Sequence, residues 1–322
     1  MKTKLLTLLA VAALLASCNH QGQKENGEYS KSSLSIITPT GAPALAFYNY
    51  AGLSNFETNS VPANIVSLMA AGQKDVVVLP TNAGMQAITK ANGVPYKIAA
   101  TITFGNFYIV STGHDDDGVM DATDTILLFQ KNNVPDKIFH YIYGDELDDN
   151  LYYVNAVSDA ATACLTAGET FINPDTGDNT PADYVLLAEP VLTNVLSKKS
   201  NITVYANIQE KYKEKSGDKE LFQASVFISN KVNEDLAKGF LSSLKEDIEA
   251  AIADPTKLSE GMKKAGDTAQ ELYGVAPQMA ENVLKKNNGM GLGFKYAKEN
   301  KEAIETFLKL FSINEVSEEV YF

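Results

Sequence analysis

Three short stretches of the chain place polar side chains directly after an apolar strand and at the start of a helix. They are Thr38, Pro39, Thr40, Gly41 and Ala42; Pro80, Thr81, Asn82 and Ala83; and Ser158, Asp159 and Ala160. At such junctions, hydroxyl and amide groups lie beside the unbonded N–H groups of a first helical turn. Gly41 also allows a close approach of the backbone. This chemistry suits the non-covalent binding of a small molecule.

Each junction also has a purely structural interpretation. A threonine or glycine before a helix is an ordinary cap, and at the first junction the two interpretations carry equal weight. Asp159 could accept a hydrogen bond from a cationic or N–H-rich solute. Glu189 precedes Pro190 at the start of another helix. The helix dipole stabilises an acidic side chain at this position, and this structural interpretation is slightly preferred to ligand binding.

Three further candidate ligand residues, Phe104, Asn106 and Tyr108, lie where a long β-rich run breaks. The aromatic rings could stack on a flat ligand, or they could alternate into and out of a strand core, and neither interpretation is favoured. If they face a ligand, a neutral or N-heterocyclic molecule is the expected solute. Lys131 could supply a positive charge or face solvent.

No catalytic constellation can be assembled from the sequence. It has no nucleophile-elbow or Walker-type pattern, and its glycine-rich GMGLG (289–293) follows no predicted strand. The histidines at positions 20, 114 and 140 lack metal-ligand spacing. The acidic stretch GHDDDG (113–118) is interpreted as a solvated turn rather than a Ca²⁺ loop. We therefore expect no enzyme activity, no cofactor and no metal.

The charge composition restricts the partners. The chain has 27 basic and 40 acidic residues and a formal net charge of −13, which argues against a nucleic-acid partner. All of the basic residues are lysine. Without arginine, the chain has no rigid bidentate fork for a carboxylate or phosphate, so an anion would have to be held by lysine, hydroxyl, amide or backbone groups.

Short apolar strands alternate with helices, which predicts an α/β fold with parallel sheets. Strands are expected at 34–38, 75–80, 125–129, 151–157, 182–188, 201–208 and 221–230, and two β-rich runs are expected within 96–112, on either side of a break at Gly105 and Asn106. The charged stretch QEKYKEKSGDKE (209–220) is expected to be a loop, and the chain after Asn233 is expected to be helical. The pattern restarts once. We therefore expect a first lobe of residues 34–104 and 207–322, carrying the helical tail, and a second lobe of residues 105–206. The two crossovers between the lobes would form a hinge beside a cleft.

The first 18 residues resemble a lipoprotein signal peptide, with a basic start, a short apolar run and the sequence LASC. Cys18 would then be lipidated, and the polar residues 19–33 would tether the domain to its anchor. The chain would lie in the cell envelope, on the outer side of the cytoplasmic membrane or in the periplasm. The other cysteine, Cys164, is expected to be a core residue, so no intramolecular disulfide is expected.

Several phrases, in this order, resemble the substrate-binding lipoproteins of bacterial ABC importers. They are ITPTGAPALAF, VVVLPTNAGMQ, ITFGNFYIVST, VSDAATACLTAGE, ADYVLLAEPVLTNVL, QASVFISNKV and LKLFSINEVSEEVYF, and they span residues 34–322. The resemblance is to the branch that binds thiamine-pyrimidine precursors, alkanesulfonates or nitrate. The stretches VMDATD and FQKNNVPD depart from that branch around the first strand of the second lobe, where an anion-binding loop would be expected.

This resemblance implies a type II periplasmic-binding-protein fold. It implies a monomeric receptor that closes on a small molecule and delivers it to an ABC permease. A sensory or scaffolding lipoprotein with the same fold is the alternative, and an enzyme on this scaffold is the least favoured. A neighbouring permease and ATPase in the genome would distinguish the first two.

Overall fold

The computed structural model describes residues 29–90, 93–115, 117–286 and 288–322. The predicted signal peptide, Cys18 and the first part of the tether lie outside the described residues. Within the described ranges, none of the helices combines the length and apolar character that a membrane crossing would require.

The strands form two sheets and one small hairpin. In chain order, the strands are β1 (Ile36–Pro39), β2 (Phe56–Asn59), β3 (Val76–Pro80), β4 (Tyr96–Thr103), β5 (Phe107–Ser111), β6 (Ile126–Phe129), β7 (Leu151–Val154), β8 (Thr170–Ile172), β9 (Asn179–Pro181), β10 (Tyr184–Ala188), β11 (Thr203–Asn207), β12 (Ala224–Ser229) and β13 (Leu292–Tyr296). The first sheet has the order β13-β4-β12-β3-β1-β2, and the second has the order β11-β5-β10-β6-β7. Strands β8 and β9 pair with each other.

The helices cover the sheets and form most of the C-terminal part. They are α1 (Ala42–Leu45), α2 (Pro62–Ala70), α3 (Thr81–Thr89), α4 (Val134–Tyr143), α5 (Val157–Leu165), α6 (Val191–Leu196), α7 (Ile208–Ser216), α8 (Glu234–Ala253), α9 (Pro255–Met262), α10 (Ala269–Tyr273), α11 (Pro277–Lys285) and α12 (Lys301–Lys309). The α/β class and the helical tail on the first sheet agree with the sequence prediction.

The strand directions bring one set of strand ends from each sheet to the same region. In the first sheet, β1, β2 and β3 are parallel, and β12 runs antiparallel to β3 and β4. In the second sheet, β6, β7 and β10 are parallel, and β5 runs antiparallel to β10. The chain passes from the end of β4 to the start of β5 through only Phe104, Gly105 and Asn106, and it returns from β11 to β12 through α7. The carboxyl ends of β3, β4, β6 and β10 therefore lie toward the connections between the sheets.

Helix α8 shows how the tail is held on the first sheet. Asn233 caps the helix by accepting hydrogen bonds from the N–H groups of Asp235 and Leu236. Its buried face includes Phe240, which stacks on Phe47 with ring centroids 6.5 Å apart. Burying such a phenylalanine contributes about 1.5–3 kcal/mol. The buried face of α8 thus joins the tail to the hydrophobic core of the first sheet.

Two local predictions were wrong, and strand β2 was missed. The charged stretch expected to be a loop is helix α7, whose Ile208 and Tyr212 are buried one turn apart and whose end is capped by Gly217 in the left-handed conformation. Strand β13 interrupts the predicted all-helical tail and pairs with β4 at the sheet edge. Strand β2 was not predicted, since Phe56 is its only buried residue. Cys164 is buried in the core of the second sheet as predicted, and burial raises the pKa of its thiol to about 12.

Candidate functional site

The first predicted junction lies at the carboxyl end of β1. Thr38 is buried and its hydroxyl donates to the carbonyl of Pro39 at 3.2 Å, while Ala42 is a core residue. Gly41 has a positive φ of 91°, and its N–H, expected to be free for a ligand, donates to the carbonyl of Tyr273 at 2.9 Å. Helix α1 is only four residues long. The N–H of Gly41 is therefore not available to a ligand in this structure.

Thr40 remains accessible and lines a groove of about 810 Å³ at the carboxyl ends of β1 and β2. The polar lining of this groove comes from hydroxyls, amides and two acids, among them Thr58, Asn59, Ser60 and Glu271. No lysine is among the described residues that line it. This groove thus presents hydroxyl and amide groups, which can donate or accept hydrogen bonds, together with two carboxylates.

The second junction follows β3 and is mostly structural. The Thr81 N–H donates to the carbonyl of Gln223 at 2.9 Å, and the Thr81 hydroxyl pairs with that of Ser225 at 2.7 Å. Asn82 is 8% exposed, and its Oδ1 is buried with no hydrogen-bond partner among the described residues. Pro80 and Ala83 are half-buried. An unpartnered buried oxygen calls for an explanation, such as a water or a ligand.

The third junction, at the start of α5, caps its own helix. The Oδ2 of Asp159 accepts a hydrogen bond from the N–H of Ala156 at 3.0 Å. Ser158 and Asp159 are exposed, whereas Ala160 is fully buried. Only the first two residues are therefore accessible to a solute, and the carboxylate of Asp159 already serves as a cap.

Glu189 lies at the end of β10 and is 7% exposed. Its carboxylate accepts hydrogen bonds from the N–H and the hydroxyl of Thr193, at 3.0 and 2.8 Å. The peptide bond to Pro190 is cis. Burial raises the pKa of this carboxyl above its usual range, against the opposing effects of the Thr193 bonds and the Lys286 charge. The favoured structural role at a helix start is present, and this buried acid lies beside Asn106 of the connection between the sheets.

A chain of amide hydrogen bonds connects the facing edges of the two sheets. The side-chain nitrogen of Asn106 donates to the backbone carbonyl of Glu189 at 2.9 Å. The oxygen of the same amide accepts from the side-chain nitrogen of Gln223 at 3.1 Å. Because the carbonyl of Glu189 can only accept, the orientation of both amides is fixed. The Oε1 of Gln223 is left buried with no partner among the described residues.

The two predicted aromatic residues line a different space from the groove. Phe104 packs edge-on against Phe222 with centroids 5.4 Å apart, and the Tyr108 hydroxyl lies 3.5 Å from the carbonyl of Gly289. Both line a cavity of about 290 Å³ beside the connection between the sheets, with Gln209 and Lys295. Burial, together with the nearby Glu189 and Glu210, raises the pKa of Tyr108 to about 12.

The structure thus joins Asn106 and Glu189 in one hydrogen-bond network. Thr81 and Asn82 lie next to this network because the backbone N–H of Thr81 donates to the carbonyl of Gln223, which belongs to it. The structure leaves Ser158 and Asp159 on an exposed helix start. Sequence reasoning missed Gln223 and the loop before β13, in which a Cβ on Gly289 would lie 3.4 Å from Cγ of Glu189. A glutamine at the start of the apolar run LFQASVF was the available signal for Gln223.

One group of side chains has the composition of a metal site. His140, Asp145 and Asp148 bring one ligand atom each to within 4.8 Å of one another. His140 already contacts Asp136 and Asp148 through its two ring nitrogens. The same cavity is lined by Lys131 and Lys137, whose charges oppose a cation. These contacts account for the cluster as an ion-pair network.

Solved structures of similar fold cover nearly all of the chain. An ABC transporter protein from Parabacteroides distasonis has a TM-score of 0.66 at 19% identity, covering 87% of this chain and 92% of its own. The periplasmic aliphatic sulphonate binding protein SsuA from Escherichia coli has a TM-score of 0.57 at 10% identity, with coverages of 87% and 86%. The Candida albicans CA3427 gene product, described as exhibiting the generic periplasmic binding protein structural fold, has a TM-score of 0.51 at 12% identity, with coverages of 89% and 92%.

No family model and no curated protein matches the sequence. The chain has the fold of the periplasmic binding proteins, as the resemblance in the sequence predicts. At these identities, the similarity establishes the fold.

Proposed function

We propose that the chain is an extracytoplasmic solute-binding receptor that delivers a small molecule to an ABC permease. The solute binds between two lobes, residues 34–104 with 207–322 and residues 105–206, which close about a hinge. The chain acts as a lipid-anchored monomer, with Cys18 as the site of lipidation. The structures of similar fold include binding proteins of importers, which supports this role over an enzymatic one.

The amide chain from Gln223 through Asn106 to Glu189 is the observation that carries this proposal. It joins the start of β12 in the first sheet to the end of β10 in the second sheet. Ligands of open α/β folds bind beyond the carboxyl ends of strands, and the hydrogen bonds of Gln223, Asn106 and Glu189 lie in that position. Gln223 and Asn82 lie at the same end of the first sheet, and each has a buried side-chain oxygen without a hydrogen-bond partner among the described residues.

The short connections between the sheets support closure about a hinge. One connection is only three residues long, and its Gly105 has a φ of 99°. The carbonyl of Gly291 accepts a hydrogen bond from the N–H of Phe104 at 2.7 Å, so the loop before β13 is fastened to this connection. Hinges of this kind concentrate the backbone change in a few residues.

Closure can be tested by electron paramagnetic resonance with nitroxide labels on cysteines introduced at Ser197 and Ser242, which are exposed in the second and first lobes. Cys18 is replaced by serine, and the buried Cys164 is left in place. We expect a shorter label distance in the protein as purified than after unfolding and refolding without solute. A control pair at Ser242 and Glu260, both in the first lobe, should give one unchanged distance. An unchanged distance for the first pair as well would contradict closure on a solute.

A further inference from the structure

We infer that the first sheet carries a second binding site, apart from the region between the sheets, for a small organic acid with a carboxylate on an apolar body. The site is a cavity of about 870 Å³ lined by residues of α8 and of the strands β4, β12 and β13. The inference does not depend on the proposed receptor function, because the cavity lies outside the region where that function places the solute.

The cavity lies at the end of the first sheet opposite to the connections with the second sheet. Its lining residues Ile228 and Ser229 end β12, whereas Gln223, which bonds to Asn106 between the sheets, directly precedes that strand. The six residues of β12 span about 20 Å, at about 3.3 Å per residue. A molecule in this cavity is therefore separated from the residues that join the sheets by the length of a strand.

The buried part of the lining is mostly apolar. Ile228, Val232 and Leu241 line the cavity and are each less than a tenth exposed. Tyr296 and Phe322 are half-buried beside them. Apolar surface at the bottom of a cavity favours a ligand with an apolar body, since both surfaces leave water on binding.

Three lysines line the same cavity, and two of them have no ion pair among the described residues. Lys97 is half-buried and Lys298 is exposed. The third, Lys238, is paired with Glu234 at 2.6 Å. A partly buried ammonium is normally matched by an acid. Lys97 and Lys298 are therefore available to bind an anion.

Glu234 shows that the three ammonium groups act on one place. The hydrogen bond and the charge of Lys238, followed by the charges of Lys97 and Lys298, hold the pKa of the Glu234 carboxyl below its usual range. Positive charges outnumber negative ones in the lining even when the main-chain carboxylate of Phe322 is counted, although the whole chain has a formal net charge of −13. The cavity is thus a positive site on an acidic protein.

A carboxylate on an apolar body fits both parts of the lining. A lysine ammonium donates up to three hydrogen bonds and attracts an anion as a point charge, without the bidentate geometry of arginine. A doubly charged phosphate would meet more repulsion from Glu234 than a singly charged carboxylate does. The volume of the cavity lies within the range of roughly 300–1,000 Å³ that small-molecule sites occupy.

The test is calorimetric titration of the full chain with two acids and their neutral amides. The pairs are phenylacetate with phenylacetamide and hexanoate with hexanamide. We expect at least one acid to bind with a Kd below about 1 mM, and its amide to bind at least about tenfold more weakly. The Kd should be the same before and after unfolding and refolding, because the site is separate from the region between the sheets. If neither acid binds, or if acid and amide bind equally, the inference is overturned and the receptor function is unaffected.

A lysine variant locates the binding. Lys97→Met removes the ammonium and keeps most of the side-chain length, so it should raise the Kd of the bound acid at least about tenfold. Lys137→Met is the matched control, because Lys137 is also half-buried and without an ion pair among the described residues, but lies on α4 beside the second sheet. It should leave the Kd unchanged. Equal Kd values for the two variants would place the binding elsewhere and overturn the inference.

Glu234→Gln should have the opposite effect. It removes the carboxylate that opposes the ligand and releases Lys238 from its ion pair, so the Kd of the acid should fall at least about threefold. A gain in affinity cannot result from a loss of folding. An unchanged or higher Kd for Glu234→Gln would overturn the inference.

Discussion

Gly291 packs directly against Gly105, so closely that a Cβ on Gly291 would lie 2.0 Å from the carbonyl oxygen of Gly105. The contact fastens the loop before β13 to the three-residue connection between the two sheets. Both glycines also have positive φ values, 61° and 99°. The connection between the sheets therefore depends on a close approach of two backbones at positions where neither residue has a side chain.

Replacing Gly291 by alanine should separate these two backbones. A positive φ costs an alanine about 1–2 kcal/mol, and overpacking adds about 1–3 kcal/mol. Gly177→Ala is the matched control, since Gly177 has a φ of 78° and no atom near its Cβ position. Urea denaturation should show a clearly larger loss for Gly291→Ala than for Gly177→Ala. Equal losses would mean that the contact with Gly105 has no energetic role.

A buried chain of hydroxyls makes Ser225 important for stability. Its hydroxyl lies 2.7 Å from that of Thr81 and 2.8 Å from that of Thr101, and all three residues are fully buried. Ser225→Ala leaves two buried hydroxyls without this partner, which should lower the free energy of unfolding by about 1–3 kcal/mol. The exposed Ser242→Ala should change it by less than about 0.5 kcal/mol. A loss no larger than the control's would contradict this assignment.

The buried Glu189 should make stability fall as pH rises. Burial raises the folded-state pKa of this carboxyl above its unfolded value, so the folded state binds the proton more tightly. Its destabilising ionisation is absent at low pH and fully present above the raised pKa.

Glu189→Gln removes this titration, and a glutamine can still accept from the Thr193 N–H and donate to the Thr193 hydroxyl. Relative to Glu189→Gln, the wild type should lose stability as pH rises from about 4, the usual range of a glutamate, through the raised pKa of the folded state. Thermal unfolding across this range measures the difference, and a constant difference would contradict the expectation.

The charged form of His140 should stabilise the folded state, whereas the charged form of Glu189 destabilises it. Burial lowers the pKa of His140, but the hydrogen bonds and charges of Asp136 and Asp148 outweigh it and leave the pKa raised. The stabilising effect of the imidazolium is therefore full below the unfolded pKa and is lost as pH rises through the folded one.

Compared with His140→Gln, the wild type should be relatively most stable below about pH 6. The advantage should shrink in an Asp148→Asn background. A pH-independent difference between the wild type and His140→Gln would be inconsistent with the charged pairing.

The sequence was sufficient to predict the fold class because strand and helix signals alternate strongly along most of the chain. It was misleading where charge and periodicity disagree. In α7, Lys and Glu dominate the composition, yet Ile208 and Tyr212 recur at helical spacing and are buried. Strands β2 and β13 lie at the two edges of the first sheet, where a strand has one neighbour and needs few buried residues.

Parts of the site could not be predicted because they depend on contacts between distant segments. The N–H of Gly41 is occupied by Tyr273, which is more than 200 positions away, and no local pattern indicates this bond. The roles of Gln223 and of the loop containing Gly289 likewise follow from the pairing of β12 with β3 and of β13 with β4. Asn106 and Glu189, in contrast, were accessible to prediction because each lies at the end of a clear strand pattern.

The native mass of the full chain tests the central claim most directly, measured as purified and again after unfolding and refolding. A receptor that closes on a solute should retain it through purification, so we predict a discrete adduct of constant mass that disappears on refolding. The chain's own mass alone in both preparations would contradict a solute receptor of this kind.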